Sequence, residues 1–277
     1  MKHAKVSGLL WAAWLMAVVS AASAPARAQM SALAPRVAPT GELLEAADAL
    51  GMVRGVGSNV FDAINRVQFT LQGVEQRPSR GSWKEFNTTA TVFISYRQAA
   101  SRVVIDRVDA KGAKTHSIEV VAGPYAWNEE SPGVGGVPAM DSVADRARSI
   151  WLTPQGVIYQ AEQAAPGGVK IGKRDGKTTL SFTIHGEPVS VTLGADHRPE
   201  LIEAKITDRD LGRTTLTVEY GGYKDFDYYG IFFPSHIVAK LGGHAALDVN
   251  VTSFLTNTYF LFPKPDPIVK LAAKAGR

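Results

Sequence analysis

Histidines, cysteines and paired carboxylates are where chemistry would start, and this chain does not space them for any familiar reaction. It has six histidines and no cysteine. His3 lies in an N-terminal leader, while His116, His185, His197, His236 and His244 lie in the body. A zinc site needs ligands one helical turn apart, as in His-Glu-x-x-His, or alternate on a strand, as in His-x-His. Neither pattern occurs, so no metal and no cofactor is expected. His236 and His244 form the pair that a hairpin could bring together. Gly167 to Arg174 fits a phosphate-loop spacing but puts Arg174 where Ser or Thr would bind magnesium. It also precedes a strand pattern, whereas a phosphate loop must open a helix. It is expected as a basic surface turn carrying Lys170, Lys173, Arg174 and Lys177. Gly133-Val134-Gly135-Gly136 has no strand-then-helix frame around it and is expected as a flexible loop. The body contains neither G-x-S-x-G nor S-x-x-K. The neighbours Glu129 and Glu130, and Asp225 with Asp227 near turn residues, read as solvated acidic groups. The expectation is a protein that is not an enzyme.

The elements that would carry a site are mostly strands. Val67, Phe69 and Leu71 alternate with Gln68, Thr70 and Gln72, which is the period of a half-buried strand. Thr88 to Tyr96, Arg102 to Val108 and Thr115 to Val121 follow, the last two joined by a turn at Gly112. Gly123 to Pro138 is expected as one long loop. From Lys177 to Tyr259 the alternation is clean. Leu180, Phe182 and Ile184 oppose Thr179, Ser181 and Thr183; Leu216, Val218 and Tyr220 oppose Thr215, Thr217 and Glu219. Short strands at this spacing form an antiparallel sheet with one wet face. Three helices are expected. Thr40 would cap the first, which carries Leu43, Leu44, Ala47 and Leu50 on one face and stops at Gly51. Asp141 to Leu152 forms the second. Thr153 and Pro154 supply the cap and first-turn proline of the third, with Val157, Ile158 and Ala161 as its apolar side.

Composition narrows the setting. Lys2, His3 and Lys5 precede a short apolar run, Leu9 to Val19, and Ala26-Arg27-Ala28 offers a cleavage site after Ala28. This is the form of an export signal, and a periplasmic location is expected. The signal holds three of the 30 basic residues and none of the 26 acidic ones. The body is then near neutral, which gives no electrostatic case for nucleic acid. After cleavage no apolar run is long enough for an integral membrane segment. The expected organisation is a signal at 1–28, a leader at 29–39, one β domain at 40–262 and a Pro-rich tail at 263–277.

Four stretches carry a resemblance. They are Ile150-Trp151-Leu152-Thr153-Pro154-Gln155-Gly156, Tyr220 with Tyr223-Lys224-Asp225, Gly230-Ile231-Phe232-Phe233-Pro234, and Asp248-Val249-Asn250-Val251-Thr252. They resemble the N-terminal domain of certain secreted metallo-β-lactamase-fold hydrolases. That domain is itself similar to the LolA-like periplasmic lipoprotein carrier fold. The resemblance implies a half-open antiparallel barrel with helices in its mouth. The hydrolases' zinc signature, His-x-His-x-Asp-His, is absent, and the chain ends soon after Pro267, where a catalytic domain would begin. The resemblance therefore transfers no catalytic residue.

The resulting expectation is a mainly β protein whose curved antiparallel sheet has short helices over its concave face. It would bind or carry an apolar ligand such as a lipid, an acyl chain or a lipoprotein. The large aromatic side chains Trp127, Trp151, Phe182, Tyr220, Phe226, Tyr228, Tyr229, Phe232 and Phe233 are expected near the helix–sheet junction. Phe69, Phe182, Ile184, Leu216 and Val218 are expected on the sheet side of a cavity, and Trp151 and Ile158 on the helix side. The alternative is an interaction module that docks a separately encoded periplasmic hydrolase or envelope protein.

Overall fold

The computed structural model describes residues 41–53, 64–79, 81–165 and 167–275. The signal, the 29–39 leader and the Thr40 cap lie outside the described residues. Helix α1 (Glu42–Ala49) buries Leu43, Ala46 and Ala47 and is followed by buried Leu50. Six strands follow: β1 (Arg66–Ser79), β2 (Ser82–Ser95), β3 (Ala100–Asp109), β4 (Lys114–Ala122), β5 (Tyr125–Glu129) and β6 (Val137–Pro138). A 3-10 turn at Met140–Ser142 leads into α2 (Val143–Trp151) and α3 (Pro154–Ala164). Seven more strands are β7 (Lys170–Arg174), β8 (Lys177–Ile184), β9 (Glu187–Leu193), β10 (Pro199–Asp208), β11 (Gly212–Asp225), β12 (Phe232–Leu241) and β13 (His244–Thr256). Helix α4 (Asp266–Ala275) follows them.

Among the described residues all thirteen strands form a single antiparallel sheet in the order β6-β5-β4-β3-β2-β1-β13-β12-β11-β10-β9-β8-β7. Each half of the chain is a meander of hairpins. The halves meet in the middle, where β1 pairs with β13 from Val67↔Thr256 to Glu75↔Leu247. The two edges, β6 and β7, flank the helical segment in sequence. The sheet does not close into a barrel, but it curls. Register shifts at Thr70/Leu71, Ala239/Lys240 and Pro199/Leu201 supply local bends. The expected class, a mainly β fold with helices over a concave face, is what forms.

Period-2 alternation explains which face is inside. On β8, Leu180, Phe182 and Ile184 are buried while Ser181 and Thr183 are exposed. On β1, Val67, Phe69 and Leu71 go inward. Two-residue turns at Asp175-Gly176 and His185-Gly186 have positive φ throughout, the geometry that suits right-handed strand twist. The inward rows, α1 and the α2–α3 pair share one continuous core. The α2–α3 elbow is tightly specified. Thr153 Oγ1 accepts from Gly156 N at 3.1 Å and lies 2.8 Å from the Tyr96 hydroxyl. Tyr220 donates its hydroxyl to the Leu152 carbonyl.

Several expectations change. The Gly123–Pro138 loop contains β5 and β6, which extend the first meander by pairing with β4 and with each other. The basic turn at Gly167–Arg174 is instead β7, an edge strand exposed along its whole length and paired to β8. Lysine on an edge strand discourages pairing with another chain. Trp127 is fully buried, but away from the helix–sheet junction. It belongs to a second cluster with Ile118, Val120 and Ile268, where the C-terminal segment and α4 cover the opposite face of the sheet. Beneath that cover Glu129, expected as a solvated group, is instead buried: Arg102 forms a two-point ion pair with it, at 2.8 and 3.1 Å, and donates to the Leu261 carbonyl at 3.1 Å. Tyr228 and Tyr229 are exposed at the β11–β12 turn, not packed at the junction. Among the described residues no helix is long and apolar enough to cross a membrane.

Candidate ligand cavity

The inward rows near the sheet centre do not fill the space beneath the α2–α3 elbow. They leave a cavity of about 370 Å³ walled by β1, β2, β3, β11, β12 and β13 and roofed by Ser149 and Leu152–Pro154. Phe69, Val92, Leu216, Val218, Phe233 and Ile237 are typical of its walls. The volume falls in the range of about 300–1,000 Å³ usual for small-molecule sites. Aromatic rings close its deep end. Phe233 stacks on Phe254 with centroids 4.2 Å apart and tilts against Phe69 at 5.0 Å. At its other end it opens toward a wider groove lined by Arg77, Arg148, Asp208 and Arg209, and the two share Glu75, Leu216 and Leu247.

A second cavity, also about 370 Å³, lies on the other side of α2. Val143, Ala147, Trp151, Ile184, His185 and Val189 line it, with Leu152 common to both. Ala99 and Gly123 from the first half of the sheet meet Ala204 from the second across this space. That juxtaposition is direct evidence that the sheet wraps the helices.

The seven residues singled out from the sequence are distributed unevenly. Phe69, Leu216 and Val218 line the central cavity. Trp151 and Ile184 line the second one. Phe182 and Ile158 are buried in the shared core and line neither of the two. Two charged residues that the sequence reading passed over, Glu75 and Arg107, do line the central cavity. The available signal was positional, since both fall on the inward rows that carry Leu71 and Ile105.

The elbow over the cavity is held by neutral phenols. Burial pushes the Tyr96 hydroxyl far above the usual phenol range, and the hydrogen bond with Thr153 offsets only part of this. Tyr220 and Tyr223 are raised for the same reason; beside Tyr223 the carboxylates of Asp196 and Glu200 add to the shift and the Arg198 guanidinium opposes it. These hydroxyls are therefore hydrogen-bonding struts at any ordinary pH, since the charged form is penalised by burial.

The histidines do not converge. His116 Nδ1 lies 2.8 Å from Asp106 Oδ1 and His236 Nε2 lies 2.8 Å from Asp248 Oδ1, both on the exposed side. His244 stacks on Trp83 and bonds Gln76, so the proposed approach to His236 across the hairpin does not happen. His197 sits between Glu42 and Glu45 of α1, at 3.5 and 3.2 Å. This partly exposed group ties the β9–β10 turn to the helix. Asp225 organises the β11–β12 turn by accepting from the backbone N–H of Asp227, Tyr229 and Gly230.

Comparison with known proteins is sparse in sequence and present in structure. No family model matches the chain, and no curated protein matches it. Among solved structures, a LolA superfamily protein from Nitrosomonas europaea is similar at a TM-score of 0.43 with 11% identity, over 83% of this chain and 97% of that one. A DUF1329 family protein from Desulfovibrio piger is similar at a TM-score of 0.36 with 8% identity, over 78% of this chain and 93% of that one.

Proposed function

We propose that this protein is a non-catalytic carrier for an apolar chain, such as a lipid or the acyl group of a lipoprotein, and that it works in the periplasm after export. The observation that carries the proposal is the central cavity, walled by Phe69, Leu216, Val218, Phe233 and Ile237 beneath the helical elbow. Each buried methylene is worth about 0.8 kcal/mol, so an alkyl chain of ordinary length binds there without polar anchoring. Export accords with the N-terminal signal pattern of the sequence. A kinship with the N-terminal domain of metallo-β-lactamase-fold hydrolases belongs to the same proposal.

The test is native mass spectrometry of the protein purified without detergent from its own cell envelope, followed by solvent extraction. A stoichiometric adduct of lipid size is the expected result. A bare protein that also fails to take up an added fatty acid would overturn the carrier reading. Leu216 is partly exposed at the junction of cavity and groove. Leu216→Asp should therefore fold while weakening uptake at least tenfold, because a carboxylate in an apolar wall must be desolvated.

A further inference from the structure

The walls of the central cavity change character along its length, and the change has a fixed direction. On β1 the inward row runs Val67, Phe69, Leu71 and then Gly73 and Glu75; on β3 it runs Val103, Ile105 and then Arg107. Thr88 of β2 lines the same end. The deep end is aromatic and the groove end is polar, which is the profile of an amphiphile. Glu75 and Arg107 are the charged members of the lining, and they are bound to each other. Arg107 donates from Nε at 2.6 Å and from Nη2 at 3.1 Å to the two Glu75 oxygens, and from Nη1 to Ser117 Oγ at 3.3 Å. Thr88 donates to Glu75 at 3.1 Å. The side chains of Arg107 and Glu75 are only 11% and 17% exposed.

Stability does not explain this pair. A largely buried ion pair is often no better than apolar side chains of the same volume, and here apolar neighbours lie all along both rows. Two features point to a ligand. Arg107 uses one N–H each from Nε, Nη1 and Nη2, which leaves two of the five guanidinium N–H groups without a protein partner among the described residues. The second lies at Glu75 itself, where cations outnumber anions. Arg77 Nε approaches Glu75 at 3.6 Å, so two guanidiniums share one carboxylate. Elsewhere in the groove Arg148 is engaged by Asp145 and Glu187, Arg209 by Asp141, and Asp208 by the backbone N–H of Asp210 and Leu211, while Asp210 adds a further carboxylate to the lining.

Building on the carrier reading above, we propose that the central cavity takes an amphiphile tail first and holds an oxyanion headgroup, carboxylate or phosphate, at Arg107. The guanidinium fork is suited to planar, two-point recognition of such oxygens, and Arg77 supplies the compensating charge.

The experiment is displacement of the neutral apolar dye N-phenylnaphthylamine from the full-length mature protein at pH 8 by laurate, dodecyl phosphate and dodecanol. The expected result is displacement by one or both anions at concentrations at least tenfold below that of dodecanol. Which anion prevails names the source of the oxyanion. In Glu75→Gln/Arg107→Gln the preference should vanish while dodecanol binds as before. Should that pair of substitutions prevent folding, Arg107→Lys keeps a cation against Glu75 but loses the fork, and the preference should fall at least threefold. Equal displacement by all three compounds would overturn the headgroup assignment and leave the carrier reading standing. An anion preference that survives loss of Arg107 would overturn it too. Failure of dye and all three compounds to bind would remove both.

Discussion

Replacing Arg102 by Met should loosen the C-terminal cover and cost about 3 kcal/mol. Glu129 has no exposed side-chain surface, and Arg102 has 8%. Removing one partner of a buried pair strands the other charge, at a typical cost of about 3–5 kcal/mol. Glu129 keeps two donors, Trp127 Nε1 at 3.0 Å and the Gly133 N–H at 2.9 Å, which places the cost toward the lower end. The loss also removes the donor to the Leu261 carbonyl and the guanidinium over the Phe262 ring. The assay is urea unfolding. With a slope of about 3 kcal/mol/M, the midpoint should drop by about 1 M. Hydrogen exchange should quicken first around Ile268, whose buried side chain is part of the cover. Arg102→Met/Glu129→Gln removes the stranded charge while an amide oxygen still accepts from Trp127, so it should recover more than half of the loss. If the single variant unfolds at the wild-type midpoint, or if the double variant is no better than the single, the ion pair does not hold the cover in the way argued.

Gly156→Ala should damage the elbow over the cavity. A Cβ there would lie 2.4 Å from the Ile150 carbonyl oxygen and 2.7 Å from Thr153 Oγ1. The expected loss is about 3 kcal/mol, or roughly 6–12 °C in Tm by differential scanning calorimetry; an unchanged Tm would refute it. Alkaline pH should also destabilise the protein. Tyr96, Tyr220 and Tyr223 are raised above their unfolded value of about 10, so their contribution is complete below that pH and is lost as pH rises toward their folded values. Urea midpoints should be flat from pH 7 to 9 and fall by pH 11, with three of the eight tyrosines ionising only on unfolding in 295 nm absorbance. Phe233→Ala should cost about 3–5 kcal/mol and deepen the cavity, because the ring is fully buried between Phe69 and Phe254. Measured against a homologous series of fatty acids, the preferred chain should lengthen; an unchanged preference would place the tail elsewhere.

The legible parts of the fold were those in which local pattern and final burial agree. The β8 to β13 hairpins could be read from alternation because one face is core and the other water. The α2–α3 junction could be read because Thr153 and Pro154 are local signals, and the Thr153 cap forms as such. Strands β5 and β6 were hidden because five and two residues among glycines and prolines hold too little period. Strand β7 was hidden because every residue on it is exposed, so no alternation is written into it. Site residues divided along the same line. Phe69, Leu216 and Val218 follow from which face of a strand is inward. Trp151 and Ile158 sit on different helices, and only the angle between those helices decides which one meets a cavity. Glu75 and Arg107 become a pair only once β1, β2 and β3 are in register, which links residues 32 positions apart.

The meeting of β1 with β13 also bears on how the chain comes to be folded. The strand that pairs with the open side of β1 is the last of the thirteen to leave the ribosome. Until it arrives, β1 presents an uncapped row of amides and carbonyls beside an apolar face, the arrangement most prone to wrong partners. Contacts of such sequence separation close slowly. All of β13 must be made before the centre of the sheet can close, so a chain still lacking it should depend on a holding chaperone.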